Sequence, residues 1–347
     1  MKIEEDIKLD FNDVLIRPKR SKMSSRSEVN LERTFKFPNS NQTWTGVPII
    51  AANMDTVGTY EVYKELSKHH ILTALHKFYD IQDYLEMSQL GLNKEYFMVS
   101  TGINKKDLER LVSILKFIDV KFICIDVANG YMEKLCGFCK KIRELYPDKV
   151  IVAGNVVTRE ISEDLILRGG VDIVKVGIGP GSACITRTQT GVGMPQLSAI
   201  IECADAAHGV NGYIIGDGGV TCPGDMAKAF CGGADFVMMG GQFAGHEENP
   251  GELIAEKNGK ELEMYKIFYG MSSDTAMKKH YGKMDKYRSS EGRTVKIKYK
   301  GKLENTVLNF LGGIRSTCTY INAKNIKNMS KCCTFVRVNR QLNTIYA

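Results

Sequence analysis

The chain has 347 residues, 43% of them hydrophobic, so a sizeable core can form and wholesale disorder is excluded. No apolar run approaches the roughly 18–20 residues that span a bilayer, and the opening MKIEEDIKLD lacks the apolar stretch of a secretory signal, so a cytoplasmic, non-membrane protein is expected. The net charge of +7 suits anionic small substrates as well as nucleic acid, but there is no aromatic-interleaved RNA motif and no zinc-finger spacing, so no nucleic-acid partner is expected.

In chain order, residues 1–46 read as an N-terminal segment that caps or braces the body of the protein. Short apolar, β-branched runs then begin near Val47, Ile71, Tyr96, Phe122, Val150, Ile173, Tyr213 and Phe236. Continuous runs of this kind suit parallel strands buried on both faces. Their starts lie 23–28 residues apart, except for 40 between Ile173 and Tyr213. That spacing leaves room for one helix and two short loops, the cadence of βα units. In PQLSAIIECADAAH, Leu197, Ile200, Ile201, Ala204 and Ala207 form one helical stripe. Eight units fit a closed (β/α)8 (TIM) barrel forming a single α/β domain over 1–347; an open doubly wound sheet would usually carry GxGxxG after its first strand, and here that strand ends in AANMD.

Two connections exceed the cadence, one after the sixth strand and one over 241–300 after the eighth. Both fall at the carboxyl end of the barrel, where active sites are built, and the second is expected to be a flap. Residues 303–326 supply the closing helix. The lysines of KIKYKGK, 296–302, suit one side of a solvated edge strand.

Ten cysteines without a secretory signal do not suggest a disulfide framework. Cys136 and Cys139 form a lone C-x-x-C within an expected helix, with no second pair at zinc spacing, and read as partly buried thiols, as do Cys332 and Cys333. Cys184 is different. It sits in GIGPGSACITR, 177–187, after the sixth strand, beside Thr186 and Arg187. A free cysteine is usually a small buried hydrophobe, but a loop at a strand's carboxyl end suits a nucleophile, provided positive charge or a base activates it. GDGG at 216–219 and Gly240–Gly241 follow strands seven and eight, where barrels often hold a phosphate on backbone N–H groups. Asp217 suits either a ribose hydroxyl or a turn. In YRSSEGRT, 287–294, Glu291 lies near Arg288 and Arg293, which reads as a solvated charge cluster or, in a lid, as a proton shuttle.

These motifs, with KLDFNDVLIRPKRS, GVPIIAANMDTVGT, DVANGY, AGNVVT, TGVGMPQLSAIIECADAAHG, GADFVMMGGQFAGHEE, FYGMSS and LGGIRSTCTY, resemble the family of GMP reductases and IMP dehydrogenases along essentially the whole chain, nearer the reductase branch. The resemblance implies NADPH-dependent reductive deamination of GMP to IMP and ammonia. The Cys184 thiolate would add to carbon 2 of the purine, Thr186 and Glu291 would protonate the leaving amine, and hydride would resolve a thioimidate. By matching position, Asp217, Gly218, Gly219, Gly240, Gly241, Gly270, Met271, Ser272, Arg288, Ser289, Ser290 and Gly292 would hold GMP. Ser25, Arg26, Lys77, Asp126, Val127, Ala128, Met271, Tyr287, Arg288, Ser316, Thr317, Cys318 and Thr319 would meet NADPH. Gly179, Gly181 and Cys184, with Arg187, would frame a monovalent cation such as potassium. Family members are usually homotetramers, and a neighbouring subunit could complete the NADPH site. One departure is Phe78, where the family's HKHY has histidine.

Two rivals stand beside this reading. A dehydrogenase usually carries a regulatory insert of about 120 residues, and only some twenty residues separate Leu75 from Tyr96. A non-catalytic nucleotide- or RNA-binding protein would bind in a steeply salt-dependent way and would not need Cys184.

Overall fold

A computed structural model of the chain describes residues 1, 3–258, 261–283, 287 and 289–339. β1 (Val14–Ile16) precedes an antiparallel hairpin of β2 (Arg33–Phe37) and β3 (Gln42–Ala51). Only the first half of β3 pairs with β2; from Val47 onward it enters the barrel. Then come α1 (Tyr60–Ser67), β4 (Ile71–Leu75), α2 (Ile81–Gln89), β5 (Phe97–Thr101), α3 (Lys105–Phe117), β6 (Phe122–Asp126), α4 (Glu133–Leu145), β7 (Val150–Val156), α5 (Arg159–Leu167) and β8 (Ile173–Val176). Next are α6 (Thr186–Thr190), α7 (Gln196–Gly209), β9 (Tyr213–Asp217), α8 (Pro223–Cys231) and β10 (Phe236–Met239). Strands β3 to β10 are parallel neighbours in order, and β10 pairs back onto β3 through Val237↔Ile49, Met238↔Ile50 and Met239↔Ala51. The barrel is therefore closed, as the eight apolar runs predict.

The 40-residue interval accommodates α6 as well as α7. Between β10 and the eighth barrel helix the chain inserts β11 (Ile254–Asn258), β12 (Glu261–Tyr269), α9 (Asp274–Tyr281) and β13 (Thr294–Lys298). β11, β12 and β13 form an antiparallel sheet with the lysine-bearing β13 at its edge, where Lys296 pairs with Glu256 and Lys298 with Glu263. The closing helix α10 (Leu303–Ile321) stops earlier than the apolar stretch suggests, because Asn322 turns left-handed at φ 59°. α11 (Met329–Cys332) and β14 (Phe335–Arg337) complete the described chain, and β14 pairs with β1. The pairing of β1 with β14 was not foreseeable, since three residues carry no periodicity.

The core has two layers, set by the two-residue alternation of strands. Ile50, Leu72, Ala74, Met98, Phe122, Val152 and Ile215 point into the barrel. Ile71, Leu75, Val99, Ile123, Ile151 and Val174 face the helices. Phe35, Phe37 and Trp44 of the hairpin meet Phe236 and Phe122 as an aromatic plug, with the Phe35 and Phe236 rings stacked at 4.3 Å. This is how the N-terminal segment braces the barrel. Cys139 is fully buried, and Cys136 Sγ lies 3.8 Å from the Asp164 carbonyl; burial pushes both thiols up.

The plug gives a direct test. Phe236→Ala is expected to lower stability by about 3–5 kcal/mol, the usual cost of emptying a buried aromatic site. Urea unfolding would register this, and a loss below about 1 kcal/mol would show that the plug does not hold the barrel.

Candidate active site

The loop after β8 needs backbone that only glycine adopts easily. Gly177 has φ +147° and Gly179 φ +86°, and a Cβ on Gly177 would meet the Asp217 carbonyl at 2.3 Å. The Cys184 N–H donates to the Gly181 carbonyl at 3.0 Å, closing a turn that leaves the half-buried side chain at the barrel's carboxyl end. Arg187 braces the loop from behind: Nη2 donates to the Met194 carbonyl at 2.6 Å, and Nη1 lies 3.2 Å from Asp10 Oδ2. Asp10 also accepts the Gln196 N–H at 2.9 Å, so the N-terminal segment helps to shape the site. No sequence signal marked Asp10 for that role.

The flap brings the third chemical group. Residues 291–293 run antiparallel to 183–185, with Ile185 N–H donating to the Glu291 carbonyl at 2.8 Å and Arg293 N–H to Ala183 at 2.9 Å. The Arg293 guanidinium clamps the Ser182 carbonyl at 3.0 and 2.8 Å. A proton path results. Cys184 Sγ donates to Thr186 Oγ1 at 3.2 Å, and Thr186 Oγ1 donates to Glu291 Oε2 at 2.8 Å. Thiol, hydroxyl and carboxylate thus form one chain from nucleophile to base.

The glycine loops converge on the same place. A Cβ on Gly218 would lie 3.3 Å from Gly181 N, one on Gly241 would lie 2.5 Å from Ser182 Oγ, and one on Gly270 would lie 2.8 Å from the Ala183 carbonyl and 3.1 Å from Gly292. Gly219 (φ +81°) packs beside Pro180, and Gly240 beside Met54. Met271 and Ser272 follow Gly270, where Ser272 accepts the Glu291 N–H at 3.3 Å. Ser289 donates to Gln189 at 3.1 Å, and Ser290 to the Gly292 carbonyl at 2.7 Å. Arg288 lies outside the described residues.

Asp217 Oδ2 accepts from Lys175 Nζ at 2.7 Å and from Asn155 Nδ2 at 2.8 Å. Oδ1 has no donor among the described residues and is available to a ligand hydroxyl. Lys175, 2% exposed, also pairs with Asp126 Oδ1 at 2.8 Å. Burial opposes both ions, but their attraction wins: Lys175 is pushed up and Asp126 held below the ordinary carboxylate range. Sequence reading missed Lys175, Asn155 and Gln196. The available signal was a lysine inside the buried run IVKV.

Lys77 follows β4, and Asp126 ends β6 with Val127 and Ala128 just beyond it, all on the barrel's carboxyl side. Phe78 stacks face to face on His280 of the flap at 3.4 Å, so this position ties the loop after β4 to the flap by an aromatic contact. A second link lies beneath it. Asp55 Oδ2 accepts from Tyr269 Oη at 2.7 Å, Lys279 Nζ at 2.8 Å and His280 Nε2 at 2.6 Å. Tyr287 is exposed. Ser25, Arg26, Ser316, Thr317, Cys318 and Thr319 gather elsewhere, where the turn at Arg26–Glu28 packs on α10. α10 starts at the flap, with Leu303 N–H held by Glu248, so its residues 316–319 lie about 20 Å further along its axis. Within one chain these six residues do not join Cys184. The Cys318 thiol is fully buried in the core, so at that position a ligand would meet backbone and not sulfur. The Arg187 guanidinium has no lone pair for a cation, and its carbonyl accepts the Gly191 N–H at 3.1 Å, so it stands beside the cysteine-loop carbonyls as a brace.

Among the described residues no helix is long and apolar enough to cross a membrane. The family model described as IMP dehydrogenase / GMP reductase domain matches residues 8–342. The chain is 58% identical to GMP reductase 1 of Mus musculus, covering 99% of each chain. It is 56% identical to GMP reductase 2 of Homo sapiens, covering 99% of this chain and 98% of the relative, and 56% identical to GMP reductase of Buchnera aphidicola (strain Tuc7), covering 100% and 99%.

The loop after β4 sets a pH dependence. Burial, only partly offset by Asp55, pushes the His76 imidazole down to about 4. The unfolded chain titrates near 6.5, so it binds the proton first as pH falls. Stability is then complete above about pH 6.5 and declines toward pH 4 by up to about 1.4 kcal/mol per unit. His76→Gln is expected to flatten that slope in urea unfolding at graded pH; an unchanged slope would assign it to other groups.

Proposed function

The chain belongs to the IMP dehydrogenase/GMP reductase family, and on that premise we propose that it reductively deaminates GMP to IMP and ammonia with NADPH. The observation that carries this reading is the hydrogen-bonded chain from Cys184 through Thr186 to Glu291. Carbon 2 of the guanine is amidine-like and accepts a sulfur nucleophile. The thiol proton passes along Thr186 to the Glu291 carboxylate as the sulfur adds. Glu291, now protonated, returns that proton through Thr186 to the departing amine, a poor leaving group until protonated. The purine is left as a thioimidate on Cys184, so one difficult displacement becomes two easier steps. NADPH, when bound, supplies the hydride that this carbon needs before the thiol can leave.

The free Oδ1 of Asp217 suits a ribose hydroxyl, and the converging glycines 218, 219, 240, 241, 270 and 292 suit a phosphate on backbone N–H groups. Ser289 and Ser290 line the flap side of that cradle. Lys77, Asp126, Val127 and Ala128, with Met271, form the nicotinamide side. Ser25 with Arg26 and Ser316, Thr317 and Thr319 offer hydroxyls and a guanidinium suited to a phosphate, and a second copy, in a homotetramer, would present them. A monovalent cation such as potassium fits the cysteine loop in part. Among the described residues the carbonyls of Gly179 and Cys184 accept no hydrogen bond, and that of Gly181 accepts one. The positive charge of a bound ion would order this loop. No segment between β4 and β5 beyond α2 could house the regulatory insert usual in dehydrogenases.

GMP-dependent NADPH oxidation by the purified protein is the primary assay; NAD reduction with IMP and no reaction with GMP would reject the reading. Cys184→Ala is expected to abolish turnover while GMP binding persists, and a folded variant with normal rate would refute the mechanism. Glu291→Gln is expected to lower kcat by about 10²–10⁴-fold with little change in KM for GMP, the scale of general acid–base catalysis. Exchanging potassium for tetramethylammonium at fixed ionic strength should lower kcat; equal rates would remove the cation from the scheme.

A further inference from the structure

Away from the barrel mouth, the seam between the first and eighth helices carries a cluster of ligating side chains that the reaction does not use. Glu65 lies in the last turn of α1, and His69 comes four residues later in the turn that follows the helix. Glu304 lies in the first turn of α10. One ligand atom from each comes within 4.8 Å of the other two.

The histidine is the informative member. His69 Nε2 is shut off from solvent and has no hydrogen-bond partner among the described residues. Its facing atom is Glu65 Oε1 at 3.7 Å, too far for a hydrogen bond. The other oxygen of Glu65 is occupied, since Oε2 takes Lys68 Nζ at 2.6 Å. The side chains of His69 and Glu65 are 17% and 13% exposed, while Glu304 is exposed and closes the cluster from outside. Ligands about 2.0–2.2 Å from a tetrahedral ion stand about 3.4 Å from one another, close to the gap between Nε2 and Oε1. The surroundings favour a cation. A cavity of about 610 Å³ opens beside the cluster, lined by Glu61, Glu65, Glu247, Glu248 and Glu304 against Lys68 and Lys302.

We propose that Glu65, His69 and Glu304 form a binding site for a divalent first-row cation, with zinc as the best match to one imidazole and two carboxylates. Solvent would supply the remaining ligand. The ion would clamp α1 to the start of α10, the seam at which the barrel's first and last units meet and the flap returns to it. Its role is structural, and nothing in it depends on the nucleotide chemistry.

The test uses the full chain, stripped with a chelator and dialysed against Zn²⁺, with bound metal measured by elemental analysis and thermal unfolding recorded in parallel. Wild type is expected to bind one Zn²⁺ more than His69→Gln or Glu304→Gln and to gain several degrees in Tm that both variants lose. Glu304 is exposed, so Glu304→Gln keeps the test valid should His69→Gln fold poorly. Cys332→Ser/Cys333→Ser controls for thiol-bound metal and should retain the equivalent. No difference in bound zinc between wild type and Glu304→Gln, or loss of that equivalent in the cysteine variant instead, would overturn the assignment.

Discussion

Two backbone hydrogen bonds decide whether this site exists as a unit. Ile185 N–H to the Glu291 carbonyl, and Arg293 N–H to Ala183, zip the flap onto the cysteine loop as a short antiparallel bridge. Thr186 and Glu291 are 105 residues apart, and this pairing places the hydroxyl and carboxylate at 2.8 Å. Glycine makes it possible, because Gly270 and Gly292 approach so closely that a Cβ on either would collide with its neighbours. Without the bridge, Cys184 would be an ordinary half-buried thiol with no base in reach.

Beneath the flap the site rests on a fixed electrostatic floor. A lone ammonium in the barrel interior would be costly, and Lys175 is tolerated there because Asp126 and Asp217 flank it at 2.8 and 2.7 Å. The same pair of contacts locks two carboxylates that belong to different sides of the site, one beside the glycine loops and one beside Lys77. The flap is tied down elsewhere, by three donors on a single oxygen of Asp55 and by the stacking of Phe78 on His280. An ion-paired floor below a lid held by hydrogen bonds and one ring stack suits a site that excludes water during reaction and readmits it afterwards.

Much of this was legible beforehand. Seven of the eight barrel strands begin within one residue of the apolar runs, because strands buried on both faces leave an uninterrupted apolar signature. The first begins earlier because Gln42 to Gly46 belong to a hairpin whose polar alternation does not stand out. The cysteine loop, the glycine pairs and Glu291 were each visible as motifs. The floor was harder to see, since Lys175 looks like an interruption in a strand and Asn155 like part of one. Asp10 and Asp55 gave no local sign, because their partners lie far along the chain.

The sequence by itself determined the eightfold repeat, the position of each loop relative to a strand's carboxyl end, and the residue types at the chemical positions, since periodicity and glycine placement are local properties of the chain. Tertiary structure alone decided which of those residues meet. It joined Cys184, Thr186 and Glu291, packed the turn at Arg26–Glu28 against α10, whose residues 316–319 lie about 20 Å along the helix from its start, and turned the Cys318 thiol into the core. Distances between remote segments depend on barrel closure and flap pairing, and both are set by contacts that no short stretch of sequence contains.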